Sequence, residues 1–416
     1  MEMKEDVVII GAGIAGLATA IALKRVGVRA LVLEKTHELR TTGASLSLFP
    51  NAWSALDTLG VSKKLNALYT PYKSTFVTDV SSGAVQEVSF TGSDGTKAGP
   101  RGVHRKILLE TLAGELPTGT IRFSIKINSI KTHTDGGSSA AILYLDDGTI
   151  INAKVLIGCD GVHSMVAQWL GLSAPVDSGR GAVRGLSMFP RDHGLGNEIQ
   201  QFLHEGRRAG FAPLNDTEFY WFITHNTSPN EDEEMKSGDP KLIQKNVIES
   251  FANLPAVFLD VVQHSDLSTL TWAPLMFRVP WNLIFGKLSK GNITVAGDAM
   301  HPMTPDLGQG GAAALEDAVV LGRHIGNSFH EHGQIVSGEV TKALELYVKE
   351  RKWRCAGLIL GSYLSGRVQQ GGSRWYTKYL RDTIFYKFLY RRFMDLIAYD
   401  CGTLPQSSSS VDNKAD

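Results

Sequence analysis

Three glycine-rich turns, each next to a carboxylate, are the parts of this sequence best suited to do chemistry. The first reads Gly11-Ala-Gly13-Ile-Ala-Gly16 and follows the apolar run Asp6 to Ile10. Gly11 permits a tight strand-to-helix turn, Gly13 lets the backbone approach a phosphate, and Gly16 allows close packing of helix and strand. The free N–H groups of the helix that follows would bind a pyrophosphate.

Glu34 supplies the carboxylate of this first site. It stands eighteen residues after Gly16, at the end of a second β-branched run, Arg29 to Leu33. Such a carboxylate accepts hydrogen bonds from both ribose hydroxyls of a dinucleotide. Because it also disfavours a ribose 2′-phosphate, the site predicts FAD or NAD rather than NADP.

Two later turns repeat the pattern of an apolar strand that delivers a carboxylate to a glycine loop. Val155 to Gly158 leads to Asp160 and Gly161, and Ile293 to Gly297 leads to Asp298. The second of these continues through Leu307-Gly-Gln-Gly-Gly-Ala312 into a helical pattern. Either turn alone is also typical of an ordinary capped turn. All three in order indicate one extended cofactor site.

The elements that must position these turns are of two kinds. β-Turn-α-turn-β patterns surround the glycine turns and are typical of a doubly wound, Rossmann-like fold. Residues 178–285 are instead rich in aromatic side chains and strand-like runs. We predict an α/β (α+β) fold, with a Rossmann-like dinucleotide-binding domain, an inserted, mostly antiparallel β-sheet substrate domain, and C-terminal helices.

Composition excludes several function classes. The 416 residues include 42 Lys or Arg and 42 Asp or Glu, and a zero net charge argues against nucleic-acid binding. Cys159, Cys355 and Cys401 lack metal-ligand spacing, so we expect no metal site and free thiols in a reducing compartment, the cytoplasm. No apolar run is long enough to predict a membrane-spanning segment.

In its three glycine turns the chain resembles the single-component FAD-dependent aromatic hydroxylases, the salicylate-hydroxylase-like and zeaxanthin-epoxidase-like flavoprotein monooxygenases. The resemblance covers about residues 6–360 and is greatest to plant FAD-dependent monooxygenases, including the ending Asp400-Cys-Gly-Thr-Leu404. It implies FAD as cofactor, NADPH or NADH as co-substrate, and O2. The implied reaction hydroxylates or epoxidises an aromatic or other unsaturated small molecule through a flavin C4a-hydroperoxide. Residues 164–168 lack an arginine that the group often has, which leaves NADPH and NADH both open.

With FAD as the dinucleotide, the domain prediction becomes specific. FAD-binding parts are predicted at 1–72, 101–177 and 286–340, and substrate-domain segments at 73–100 and 178–285. C-terminal helices are predicted at 341–400 and a tail at 401–416.

The resemblance also implies which residues hold the FAD. The first turn would bind the pyrophosphate, Glu34 the adenosine ribose, and the third turn the ribityl chain and the flavin ring. The helix that starts in the third glycine loop would aim its positive end at the N1–C2=O edge of the flavin. The predicted cofactor-binding residues are Gly11, Gly13, Ala15, Gly16, Glu34, Lys35, Gly43, Ala44, Arg105, Asp160, Asp298, Pro302, Gly308, Gly310, Gly311 and Ala312.

Three of these residues have distinct implied roles. Arg105 begins a predicted helix, where a cation is unfavourable unless an anion such as the FAD phosphate lies near it. Asp298 would accept a hydrogen bond from a ribityl hydroxyl. Asp160 would connect the FAD region with the path of the nicotinamide.

Arg184 and Tyr220 are the predicted catalytic residues, because they lie on strands of the aromatic segment and related enzymes often hold a phenolate with an arginine or tyrosine near here. His204 is a third candidate. The alternative for each is a structural role, since a buried polar group needs a partner that is not necessarily a substrate.

Other functions stay open on the same fold. A flavin-dependent reductase or halogenase is one alternative, although no Trp-x-Trp-x-Ile-Pro-type halogenase motif is present. A non-catalytic escort-type binder is another, but such proteins lose the flavin-cradling residues that are intact here. The basic, aromatic stretch from Trp375 to Tyr399 is compatible with a helix packed on the FAD domain or with one lying on an anionic membrane.

Overall fold

The structure, a computed structural model, describes residues 2–40, 44–90, 99–135, 138–191, 193–204, 206–227, 235, 238–370 and 398–406. Its strands are β1 Glu2–Ile10, β2 Ala30–Leu33, β3 Ser45–Leu48, β4 Ser74–Asp79, β5 Val85–Ser89, β6 Arg101–His104, β7 Ile121–Arg122, β8 Ile127–Asp135, β9 Ser138–Leu145, β10 Ile150–Gly158, β11 Val176–Met188, β12 Ile199–His204, β13 Arg207–Pro213, β14 Glu218–Asn226, β15 Thr271–Phe277, β16 Ser289–Lys290 and β17 Ile293–Val295.

The helices lie between groups of these strands or after the last of them. They are α1 Ile14–Arg25, α2 Pro50–Thr58, α3 Ser62–Asn66, α4 Arg105–Ala113, α5 Met165–Trp169, α6 Pro240–Ser250, α7 Ala256–Gln263, α8 Pro280–Ile284, α9 Gly310–His332 and α10 Ser337–Gln369. Within the described ranges, none of them combines the length and the hydropathy that a membrane span requires.

The first sheet has a parallel centre. Its order is β16-β17-β10-β1-β2-β7, and β9 adds antiparallel to β10 and pairs with β8. From β17 to β7 the neighbouring strands are parallel. Val7 to Ile10 are all buried, as expected for a central parallel strand. The carboxyl ends of β1, β2, β10 and β17 therefore meet at one edge, where the three glycine turns and Glu34 follow them.

A second, mostly antiparallel sheet has the order β15-β11-β14-β13-β12-β4-β5. Only β12 and β4 run parallel in it. Pro274 is tolerated in β15 because this strand lies at the edge of the sheet. One face packs on α6 and α7 through an apolar core that includes Trp221, Val247 and Phe258. The opposite face, which carries the alternate residues of each strand, is called the free face below.

Small residues let the long helix α9 pack closely on α1. A side chain at Gly322 would meet the Ala22 Cβ at 2.6 Å, and one at Gly326 would meet the Val26 Cβ at 2.8 Å. Glycine is therefore required at both places for this approach. The contact places the start of α9 beside the first glycine turn, since Gly311 lies near Ile14.

These two sheets confirm the predicted fold class, a Rossmann-like domain with an inserted antiparallel sheet and a C-terminal helix, α10. The domain boundaries given above remain predictions. The basic, aromatic stretch that begins at Trp375 lies outside the described residues up to residue 397.

Candidate functional site

The first glycine turn forms an open cradle at the start of α1. Gly11 has a φ of +101° and donates its N–H to the Leu33 carbonyl at 2.8 Å, which ties the turn to β2. A Cβ on Gly13 would meet no atom within 4 Å, so the backbone there borders open space. Ala15 is buried against Gly297 of the third turn. This is the geometry that a diphosphate needs at a helix N-terminus.

Glu34 is fixed at the edge of this cradle. Its Oε2 accepts the Ala12 N–H at 2.7 Å, and its Oε1 accepts the Thr36 N–H at 3.0 Å and the Thr36 hydroxyl at 2.9 Å. The carboxylate is half-buried and the neighbouring Lys35 is exposed. A carboxylate has about four lone-pair positions, so Glu34 retains capacity to accept a hydroxyl of a ribose.

Arg105 tests whether this site fits FAD. Its Nε is buried with no hydrogen-bond partner in the described part of the chain. Burial lowers the pKa of its guanidinium, Asp298 opposes that shift, and Arg40 and Arg184 add to it. A guanidinium with a buried Nε and two cations nearby favours an anionic ligand in addition to Asp298. A phosphate of FAD supplies that charge, so the residues fit the cofactor.

The third glycine turn lies beside the first, since Gly297 packs against Ala15. Asp298 is exposed within the turn Gly297–Ala299, which begins with a φ of +60° at Gly297. Gly308 is left-handed, with a φ of +64°, and α9 begins two residues later. Gly310 and Gly311 are half-buried and Ala312 is buried. The free N–H groups at the start of α9 are thus available to an electron-rich edge of a ligand.

A buried ion cluster lies behind this turn. Asp317 accepts the Gly297 N–H at 2.9 Å, contacts His301 Nε2 at 2.6 Å and accepts Arg351 Nε at 2.7 Å. All of these side chains are fully buried. The cluster is completed by Glu316, which contacts Arg351 at 2.8 Å and Arg354 at 2.7 Å. Asp317 therefore anchors the backbone that presents Asp298.

The charges of the cluster stabilise one another. Burial opposes ionisation of Asp317, but His301 and Arg351 outweigh it and lower the pKa of its carboxyl to about 2. Burial likewise opposes protonation of His301, yet Cys355 and Asp317 raise the pKa of the imidazole well above its usual value. Potential ligand atoms of His301, Asp317 and Cys355 lie within 4.8 Å of one another. The Arg351 cation, already paired with Asp317, opposes a metal ion there.

Asp160 has a local role in the structure. Its carboxylate accepts the Ser164 hydroxyl at 2.5 Å and the Met165 N–H at 2.7 Å, and so caps the start of α5. Its implied connection to a nicotinamide path stays a prediction.

Of the other predicted FAD residues, Gly43 lies outside the described residues, whereas Ala44 is buried and its carbonyl accepts the Arg105 N–H at 3.3 Å. Pro302 is buried and accepts the Arg278 N–H at 3.0 Å.

The free face of the second sheet meets the loop before α9 through ion pairs to Asp306. Arg180 donates to both carboxylate oxygens of Asp306, at 3.1 and 2.6 Å, and to the Gln370 side chain at 3.0 Å. Arg208 adds a contact of 3.5 Å to Asp306. Because Asp306 follows Pro305 in the loop before α9, this face of the sheet lies against the predicted flavin site.

Both predicted catalytic residues lie on that face. Strand pairing aligns Arg184 with Phe222 and Leu186 with Tyr220, and alternation places them with Arg180. Burial raises the pKa of the Tyr220 phenol, and Arg184 and Arg208 oppose that shift. The three side chains are therefore within electrostatic reach of one another. Their catalytic role stays a prediction.

His204 is not brought to this face. Side chains alternate along β12, so His204 lies on the same face of the sheet as Phe202, opposite to Leu203. Phe202 belongs to the apolar core between the sheet and the helices α6 and α7. Its ring contacts the Ser81 hydroxyl at 3.4 Å. The structure instead adds Arg208, whose guanidinium lies 5.2 Å from the Phe222 ring centroid.

All three cysteines are buried. Burial raises the pKa of the Cys159 thiol well above its usual value and that of Cys401 to about 11. Cys355 is fully buried beside His301.

Comparisons with known proteins agree with this geometry. The family model described as FAD binding domain matches residues 4–359. Over 413 residues the chain is 40% identical to Monooxygenase 2 of Arabidopsis thaliana, covering 97% of this chain and 99% of that protein. It is 26% identical over 388 residues to an FAD-dependent urate hydroxylase of Klebsiella pneumoniae, covering 90% and 94% of the two chains.

A solved structure extends the match to three dimensions. The crystal structure of Klebsiella pneumoniae HpxO complexed with FAD and uric acid has a TM-score of 0.78 to this chain at 25% identity. The match covers 95% of this chain and 96% of the other. The similarity therefore includes both sheets.

Proposed function

Because the chain belongs to the FAD-dependent aromatic monooxygenase family, we propose that it uses NADPH or NADH and O2 to insert one oxygen atom into a small aromatic or other unsaturated molecule. The cytoplasm remains the predicted location.

One observation carries the substrate side of this proposal. The Arg180–Asp306 pair holds the free face of the second sheet against the loop before α9. Arg184 and Tyr220 lie on that same face and would therefore point to the side of the flavin where a substrate sits. A shift of either strand by one residue would turn its side chain into the α6–α7 core.

FAD, when bound, supplies hydride acceptance and the activation of O2. The residues that would hold it are the first glycine turn, Glu34, Arg105 and Asp298, together with the N-terminus of α9. The protein's own task is to bind and orient the substrate and to exclude water from the reacting face. The two arginines beside Tyr220 favour a substrate that carries negative charge, such as a phenolate or an aromatic acid.

Incorporation of labelled oxygen tests the reaction class. A screen of aromatic acids and phenols should find compounds that accelerate NADPH or NADH consumption. The product should be heavier by one oxygen atom, and the label should come from ¹⁸O2. Label that enters only from ¹⁸O-enriched water, or turnover that proceeds equally well without oxygen, would overturn the proposal and favour the reductase alternative.

Asp298→Ala should weaken FAD binding, because a ribityl hydroxyl would lose its charged acceptor. Such a hydrogen bond contributes about 1.5–3 kcal/mol, which corresponds to a roughly 10- to 150-fold increase in the Kd for FAD. Quenching of flavin fluorescence during titration of apoprotein measures the Kd. Asp298→Asn keeps a neutral acceptor and should lose less. Equal affinity for FAD in Asp298→Ala and the wild type would contradict the assignment.

Arg184→Ala and Tyr220→Phe should each lower substrate-stimulated turnover, by an amount of order 10²-fold, because a misplaced substrate reacts slowly. Their FAD content should stay unchanged, because neither residue is among those assigned to hold the FAD. His204→Ala, on the opposite face of the same sheet, is the matched control and should retain turnover. If either variant lost FAD in proportion to activity, the residue would belong to the cofactor site instead.

A further inference from the structure

Two segments of this neutral chain contain no acidic residue. Neither Asp nor Glu occurs from residue 267 to 297 or from 351 to 381, although acidic and basic residues are equally frequent in the whole sequence. The described parts of these segments form β15 to β17, α8 and most of α10. Helices α8 and α10 pack against each other. Arg278 and Arg351 of these segments are buried, whereas Lys287, Lys290 and Arg367 are exposed. The described parts of the two segments therefore present basic and no acidic side chains to solvent.

Large apolar side chains are exposed on the same pair of helices. Trp281 is 61% exposed and Phe285 is 80% exposed, and their rings stack at 6.2 Å. On α10, Leu360 and Leu364 are each about half exposed. They flank Tyr363, which stacks at 4.7 Å on Phe277, three residues before α8. We call Trp281, Phe285, Leu360 and Leu364 the α8–α10 face.

Exposed cations accompany this face. Lys287 follows Phe285 by two residues, and Arg367 lies three residues after Leu364, on the same side of α10. Lys290 is also exposed, with its ammonium 5.2 Å from the Trp169 ring centroid. Exposed aromatic side chains on segments that carry exposed cations and no acidic residue match the interface of an anionic bilayer.

We propose that the α8–α10 face docks on the surface of an anionic lipid bilayer. Trp281 and Phe285 would enter the headgroup region, where aromatic side chains are favoured, and Lys287, Lys290 and Arg367 would contact lipid phosphates. No described helix can span the bilayer, so the contact is peripheral. The proposal is independent of the reaction, because the face includes none of the residues assigned to FAD or substrate.

Vesicle sedimentation tests the proposal. The full chain loaded with FAD is mixed with vesicles of phosphatidylcholine alone or with 30 mol% phosphatidylserine — a proportion of about one anionic lipid in three, typical of strongly anionic surfaces. We expect binding to the anionic vesicles that weakens as salt is raised. The double variant Trp281→Ser/Phe285→Ser should bind these vesicles at least about tenfold more weakly than the wild type, because the apolar side chains that would insert are removed.

Two controls separate the causes. Leu242→Ser/Val257→Ser changes exposed apolar residues of α6 and α7. These helices pack on the second sheet and are not part of the α8–α10 face, so this variant should bind like the wild type. Lys287→Glu/Lys290→Glu should lose binding to the anionic vesicles. Retained FAD absorbance and an unchanged melting temperature would show that each variant is folded.

Three results would overturn the proposal. The wild type could fail to sediment with anionic vesicles, or the Trp281→Ser/Phe285→Ser variant could bind as well as the wild type. The same variant could also convert a dimer to a monomer in sedimentation velocity without changing vesicle binding, which would make the face a contact between two copies of the chain.

Discussion

Asp317→Ala is expected to lower the free energy of unfolding by about 3–5 kcal/mol, the usual cost of removing one partner from a buried ion pair. The Arg351 guanidinium and the His301 imidazolium would both remain buried without their shared carboxylate. The Gly297 N–H would lose its acceptor as well. Because that backbone presents Asp298, FAD affinity should fall together with stability.

Urea unfolding, followed by tryptophan fluorescence, measures the change. Glu331→Ala is the matched control, since Glu331 is an exposed acid on the same helix, α9, and its removal should change stability by well under about 0.5 kcal/mol. An Asp317→Ala variant as stable as this control would contradict the role given to the cluster.

The effect of Asp317→Ala should also depend on pH. The cluster lowers the pKa of Asp317 to about 2, below the ordinary value of about 3.9 for an unfolded chain. A group whose folded pKa is lowered contributes stability above its unfolded pKa and loses that contribution as pH falls through the folded pKa. On the acid side, where His301 is protonated in both the folded and the unfolded chain, the difference between wild type and variant should shrink as pH falls below about 4. A difference that grows between about pH 4 and pH 2 would contradict this.

Asp306→Ala is expected to have a similarly large effect on a different contact. Arg180 is fully buried, and among the described residues it would keep only the Gln370 side chain as a partner, so about 3–5 kcal/mol of stability should be lost. The pair also holds the second sheet against the loop before α9. Substrate-stimulated turnover should therefore fall further than FAD binding does.

Three measurements separate these effects: urea unfolding, the Kd for FAD and the rate of substrate-stimulated NADPH or NADH consumption. Asp306→Asn keeps an acceptor for Arg180 and should lose less stability than the alanine variant. Asp216→Ala removes an exposed acid from a turn of the same sheet and should be close to the wild type. Full turnover in Asp306→Ala would show that the pair does not position the substrate face.

The sequence alone was sufficient to predict the fold class and the arrangement of the glycine turns. Short-range patterns explain this success, because a strand, a glycine turn and a helix are specified by adjacent residues. Gly11 and Gly297 follow the ends of β1 and β17, and parallel pairing then brings them to one edge. The helix predicted to begin at Arg105 is also present, as α4 from Arg105 to Ala113.

The side-chain partners could not be predicted, because they depend on strand register and on contacts between distant residues. Arg180 and Asp306 lie 126 residues apart, and no local pattern connects them. Alternation along β12 decides that His204 faces the helices, but the sequence does not say which face is free. One signal was available for the ion cluster: Glu316 and Asp317 interrupt an apolar helical run, and acids buried in this way require cationic partners.

Under the proposed reaction with oxygen, the burial of Cys159 and Cys401 would protect the protein from its own by-product. A flavoenzyme that meets oxygen without a substrate releases hydrogen peroxide, and peroxide oxidises thiolates far faster than thiols. Cys159 and Cys401 are shielded from solvent and their raised pKa values keep them protonated near neutral pH. Idle turnover should therefore leave these sulfurs reduced, and storage in air should not require added thiol to protect them.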